Sequence, residues 1–321
     1  MKKLLLFSLI SICCFGCRSV EYLTYHQAAF FTDHIDISAP LEQRIQAAPA
    51  HVIAWLNAMD STDKYYSYLL SDEEETLFGN YVSLLPKKYQ QLINEKIIAV
   101  YFINNFAGGG MTAETYDSNG TMYCVWFYNP EILYRTVSDW INYRENSYFN
   151  DEPGVEIIVD CNSNYKALIH TLLHESSHVY DYFYHATPFV EPVLQNKDTL
   201  LQTNFTAAIW ADYNLPIAAY DFHYRSDLHS YGLGPVQSKS LAPEIYRSLS
   251  TAPFASLYGS QNWAEDFAEA FTWLYINKYL NGNYRVNIIS NSGAAENIFE
   301  FNPLQNPLFT DRWSCFIEIL E

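Results

Sequence analysis

Basic side chains are scarce in this sequence: 18 Lys and Arg stand against 36 Asp and Glu in 321 residues, a formal net charge of −18. The deficit argues against nucleic acid as a partner, because a phosphate backbone is held by a surplus of Lys and Arg that this chain lacks. The same field repels anionic lipid headgroups and attracts cationic peptides, although an acidic exterior alone names no substrate. Cysteine is nearly missing from the body of the chain. Of six, three lie within the first 17 residues, leaving Cys124, Cys161 and Cys315. Their spacing fits no zinc ribbon, and an odd number allows one disulfide at most. No repeat or low-complexity tract is present, and 17% aromatic content is too high for a disordered chain.

Residues 1–17, MKKLLLFSLISICCFGC, run from Lys2 and Lys3 through an apolar stretch to Gly16 and Cys17. Basic, apolar and small, in that order, is the pattern of a bacterial export signal, and the stretch is too short to span a bilayer. Gly16 before Cys17 resembles a lipoprotein signal in which Cys17 becomes the lipidated first residue, with ordinary secretion as the alternative. The expected location is the cell envelope or cell surface, with the membrane touched only through that anchor. Loss of Lys2 and Lys3 would leave 16 basic against 36 acidic side chains, a charge of −20.

The expected organisation is a tether and lead-in over 18–37 and one folded domain over 38–321. Helices and a sheet would occupy 38–160, and a long helix with a C-terminal helical lobe 161–321. Helices are expected over Leu41–Ala47, Ala50–Met59 and Asp72–Leu85, with Pro86 opening a short one toward Ile93. Lys96–Asn104, Thr121–Tyr128 and Val155–Asp160 are β-branched or aromatic enough for strands, with turns at Gly108–Gly110 and Asn119-Gly120. Asn162 or Ser163 would cap a helix reaching His185. The stretch after Pro188, with five prolines by Pro253, reads as mixed helices and loops. Asn262 to Leu280 is apolar at helical spacing, and Thr310–Leu320 closes the chain as a helix. The fold class is therefore α+β, with a small mixed sheet.

The chemistry lies in His174-Glu175-Ser176-Ser177-His178. On a helix, residues four apart are offset by about 40°, so His174 and His178 project to a common point, with Glu175 about 100° away. Two neutral imidazoles can then hold Zn²⁺ while the carboxylate serves as general base. A catalytic zinc needs a third ligand and an open position. Downstream, Glu265 and Glu269 are again four apart on an apolar helix, where unpartnered carboxylates are costly. Glu265 is assigned as the ligand, and Glu269 as the acceptor that orients a ligand histidine through its free ring N–H. His170 is more readily a packed histidine than a ligand, and His223 and His229 are weaker candidates still.

The segments around His174–His178 and Tyr258–Phe271, YGSQNWAEDFAEAF, together resemble the catalytic domain of the anthrax lethal-factor-type metallopeptidases, a branch of the gluzincins. The resemblance covers about 12 and 14 residues. It implies a zincin-like fold, one Zn²⁺ per chain and hydrolysis of a peptide or protein substrate. It also implies that Tyr258, seven residues before Glu265, stabilises the transition state, and that Asp181 is the acidic residue beyond the second histidine. Gly108–Gly110 lacks the G-x-M-E-N pattern of gluzincin aminopeptidases, so an endopeptidase is expected. Two features depart from the pattern: Ser176 stands where an apolar residue is usual, and 87 residues separate His178 from Glu265, which implies an insertion over about 188–253. The alternative reading is a catalytically silent surface lipoprotein that keeps the fold and binds a host or envelope partner.

Overall fold

The computed structural model describes residues 26–188, 202–291 and 295–320; the expected export signal, Cys17 and the start of the expected tether lie outside them. The regular elements are α1 (Ala50–Met59), β1 (Tyr66–Tyr68), α2 (Asp72–Val82), α3 (Lys87–Lys96), β2 (Ile97–Asn104), β3 (Gly110–Tyr116) and β4 (Met122–Tyr128). They continue with α4 (Val137–Asn146), β5 (Val155–Asp160), α5 (Leu168–Tyr184), β6 (Trp210–Asp212), β7 (Leu215–Pro216), α6 (Ala242–Leu249), α7 (Trp263–Leu280), β8 (Arg285–Ser290) and β9 (Glu296–Phe301). The protein is α+β. Among the described residues, no helix is long and apolar enough to cross a membrane.

Four strands make a mixed sheet in the order β1-β2-β4-β3, with β2 and β4 parallel and the outer two antiparallel to them. The central pair is buried on both faces, which explains its nearly unbroken apolar sequence. Phe102, Trp126 and Tyr128 face the main core, which α5 and α7 enter. Tyr101, Ile103 and Phe127 face a second layer made by Val52 and Leu56 of α1 with Ala28 and Phe31. Burying side chains such as Phe31 and Leu56 is worth about 1.5–3 kcal/mol each. Packing thus begins well before the expected start at residue 38.

Several elements differ from expectation. Leu41–Ala47 is only a 3-10 turn over Leu41–Arg44, because the Arg44 guanidinium takes carbonyls at Ile37, Ala39, Asn94 and Ile97 and Gln46 bonds to Val100. The long helix starts at Leu168, not after Asn162 or Ser163, since Ala167 N–H is taken by Arg135 O and Lys166 N–H by Tyr81 OH. The C-terminal stretch is largely 3-10, pinned where Arg312 reaches Pro253 O and Asp266. β1, β3, α4, β6, β7, β8 and β9 lie outside the expected elements. The β5-β8-β9 sheet runs across the expected division at residue 160, so the C-terminal lobe is not wholly helical. Cys124, Cys161 and Cys315 are free thiols.

Candidate metal centre

Two helices carry the centre, and both are built for burial. Along α5, Leu168, Ile169, Leu172, Leu173 and Val179 are fully buried, yet His170, Thr171, His174, Glu175, Ser177 and Asp181 are buried with them. Polar groups in that position cost several kcal/mol unless partnered, so their partners define the site. On α7, Asn262 caps the helix, its side-chain oxygen accepting from the N–H groups of Ala264 (3.1 Å) and Glu265 (3.0 Å). The cap fixes Glu265 in the first turn, where the helix dipole favours a negative charge.

These helices bring His174, His178 and Glu265 together as a group that could hold a metal ion, with one donor atom from each lying within 4.8 Å of the others. His174 Nε2 is 3.0 Å from Glu265 Oε2 and 3.1 Å from His178 Nε2, which is itself 3.5 Å from the carboxylate. Burial alone would lower His174, but the hydrogen bond with Glu265 and the Glu269 carboxylate beside it raise it to about 10. Burial would raise Glu265, but His178 and His174 hold it below the usual carboxylate range.

Behind His174 stands Glu269, completely buried. It lies 3.3 Å from His174 Nδ1 and 3.3 Å from His170 Nε2, contacts close enough for attraction but not aligned as hydrogen bonds. Arg144 clamps it through Nη1 to Oε1 (2.8 Å) and Nη2 to Oε2 (2.9 Å), while Ser256 Oγ and Trp273 Nε1 donate to Oε2. Burial works against its charge, but Arg144 keeps Glu269 well below the carboxylate range. Burial drives His170 the other way, to about 4 despite Glu269, so it is neutral at pH 7.

Glu175 lies on the cleft side of α5 and accepts from Thr112 Oγ1 at 2.7 Å. Burial pushes this carboxyl above its usual range, against the pull of His174 and His178. Gly110 allows β3 to come this close: a Cβ there would lie 2.9 Å from Thr171 Cγ2 and 3.0 Å from Glu175 Cγ. Tyr258 packs beside the His174 ring at 5.8 Å between centroids, and burial with the Glu265 charge keeps its phenol protonated well above pH 10. A cleft passes through this point. One part, about 220 Å³, is lined by Phe106, Trp140, Tyr231 and the Gly108–Gly110 backbone; another, about 180 Å³, lies between Met111, Tyr182, Tyr213 and Glu265. His174, Glu175 and Tyr258 line both.

Of the other candidates, Asp181 lines the cleft with His178 and Glu265, whereas His223 and His229 do not. The two oxygens of Asp181 accept from Thr187 N–H (2.6 Å) and Thr187 Oγ1 (2.5 Å), so they are engaged by Thr187 rather than by His178. His223 is exposed against Tyr224, His229 packs on Gly234, and neither lines the cleft. Ser176 is fully buried, its hydroxyl without a partner among the described residues. Sequence reasoning missed Thr112, Arg144 and Ser256, whose roles come from contacts 63, 125 and 13 residues away. Comparison with known proteins finds no family model, no curated protein and no solved structure that matches this chain.

Proposed function

We propose that the protein is a zinc-dependent endopeptidase with a zincin-like fold, exported and held at the cell envelope through Cys17. The observation that carries this reading is the convergence of His174, His178 and Glu265 at the floor of a cleft that also holds Glu175 and Tyr258. Two imidazoles and one carboxylate are the donor set of a three-ligand catalytic zinc, and the cleft leaves a fourth direction open. The fit extends behind the ligands: Glu269 beside His174 Nδ1 favours the tautomer whose Nε2 is free to ligate. When bound, Zn²⁺ would supply Lewis acidity and make a water nucleophilic near neutral pH.

The chain's own residues account for the rest. Glu175, oriented by Thr112 and raised above the usual carboxylate range by burial, is suited to take a proton from the attacking water and pass it to the leaving amine. Tyr258, protonated and beside His174, is suited to donate to the oxyanion as the carbonyl becomes tetrahedral.

An extended peptide has a place to lie. β4 is internal to its sheet and β5 edges a different one. The edge at the cleft is β3. Gly109 O accepts from Asn129 N–H, and Tyr116 N–H, on the opposite side, donates to His26 O. The even-numbered residues of β3 therefore turn their backbone groups away from β4, and Gly110 and Thr112 do so on the cleft wall. Strand addition there would lay a substrate along α5 over Glu175.

The test is zinc content and cleavage of a mixed peptide library by the wild type and Glu175→Gln. The expected result is one zinc per chain in both, with cleavage only in the wild type. Zinc without glutamate-dependent cleavage would replace this reading with that of a binding protein.

A further inference from the structure

We infer that Arg144 is the positioning residue that couples the metal ligands to the transition-state donor, an inference that rests on the peptidase reading above. Arg144 belongs to α4, which carries no ligand, and it is 1% exposed. Its guanidinium is shared among three neighbours. Two N–H groups hold both oxygens of Glu269, the carboxylate beside His174 Nδ1. The third, Nε–H, bonds Glu145 Oε1 at 3.0 Å, and Glu145 is in turn fixed by Tyr246 OH at 2.7 Å. The Arg144 Cζ lies over the Tyr258 ring, 5.3 Å from the centre.

Each contact fixes a different degree of freedom. The fork stops Glu269 from rotating, so the oxygen beside His174 keeps its place and the imidazole keeps its tautomer. The Glu145 bond fixes the orientation of the fork and so the place of the cation over the Tyr258 ring. A purely structural role explains this poorly, since a buried ion network is seldom more stabilising than apolar packing of the same volume. Lysine would keep the charge but could neither bridge both Glu269 oxygens nor present a flat face.

The test uses the full-length protein, stripped and reloaded with Zn²⁺ or Co²⁺, as wild type, Arg144→Met and Arg144→Lys. Arg144→Met is expected to bind Zn²⁺ about 10- to 100-fold more weakly in chelator competition, with an altered Co²⁺ visible spectrum. At saturating zinc its kcat should fall with KM unchanged, because the cation that holds the Tyr258 ring in place is gone. Arg144→Lys should lie between the two, and it decides the matter alone if Arg144→Met does not fold. Unchanged zinc affinity and Co²⁺ spectrum, even with a lowered melting temperature, would overturn the inference, as would full kcat at saturating zinc. A wild type that binds no zinc would instead overturn the peptidase reading beneath it.

Discussion

Zinc binding should release close to one proton per chain at neutral pH. His174 Nε2 and Glu265 Oε2 face each other at 3.0 Å. Burial opposes a charge on His174, yet Glu265 and Glu269 raise it to about 10, while Glu265 stays ionised. The pair therefore holds one proton at pH 7, counted once and assigned to His174. A metal must displace it. Apparent affinity at pH 7 therefore lies below its high-pH limit. It should climb about tenfold per pH unit until His174 deprotonates unaided. The same shift has a consequence for stability, with its sign fixed by linkage. A histidine raised in the folded state contributes stability in full below its unfolded value, about 6.5, and loses it as pH rises through about 10. Stabilisation by zinc should therefore widen from pH 6.5 upward. Calorimetric titration with Zn²⁺ in buffers of different ionisation enthalpy, between pH 6.5 and 8.5, measures the released proton directly. No release, with affinity flat across that range, would show that the proton is not held between these two groups.

Three further outcomes follow from individual contacts. Tyr258→Phe should lower kcat by about 10²–10³ while zinc affinity in chelator competition stays at the wild-type value; equal losses in both would refute a role confined to the transition state. Arg312→Met should destabilise the protein by about 3–5 kcal/mol in urea unfolding, since it removes both guanidinium bonds to the fully buried Asp266 and leaves it only Trp210 Nε1. A loss below about 1 kcal/mol would mean that Asp266 finds another partner or a proton. Gly110→Ala places a Cβ 2.9 Å from Tyr128 Cδ1 and from Thr171 Cγ2, so β3 must move off α5. Peptide cleavage should then fall far more than zinc binding, and unchanged cleavage would remove β3 from the substrate path.

What the sequence makes legible here follows from how far each signal reaches. His174 and His178 are one helical turn apart, as are Glu265 and Glu269, so each pair announces itself locally even though 91 residues lie between His174 and Glu265. Arg144 and Glu269 are 125 apart, and nothing within either neighbourhood marks the other. The same distinction separates the strands. β2 and β4 carry their burial in composition, whereas β3, GMTAETY, owes its place to β4 on one side and α5 against its face. β8 did carry a signal, Val286 and Ile288 buried at period two, and α4 carried the Thr136/Asp139 capping box. Both were local and could have been read. The remainder could not, because a buried arginine becomes interpretable only once its acceptors are known. Each long-range contact also spans the α5–α7 contact or braces it from outside. A centre whose ligands sit on one helix pair while their orientation is set by α4 and β3 should therefore tolerate surface change on those outer elements. It should fail when their inward side chains are altered, even though none of those side chains belongs to the His174, His178 and Glu265 group.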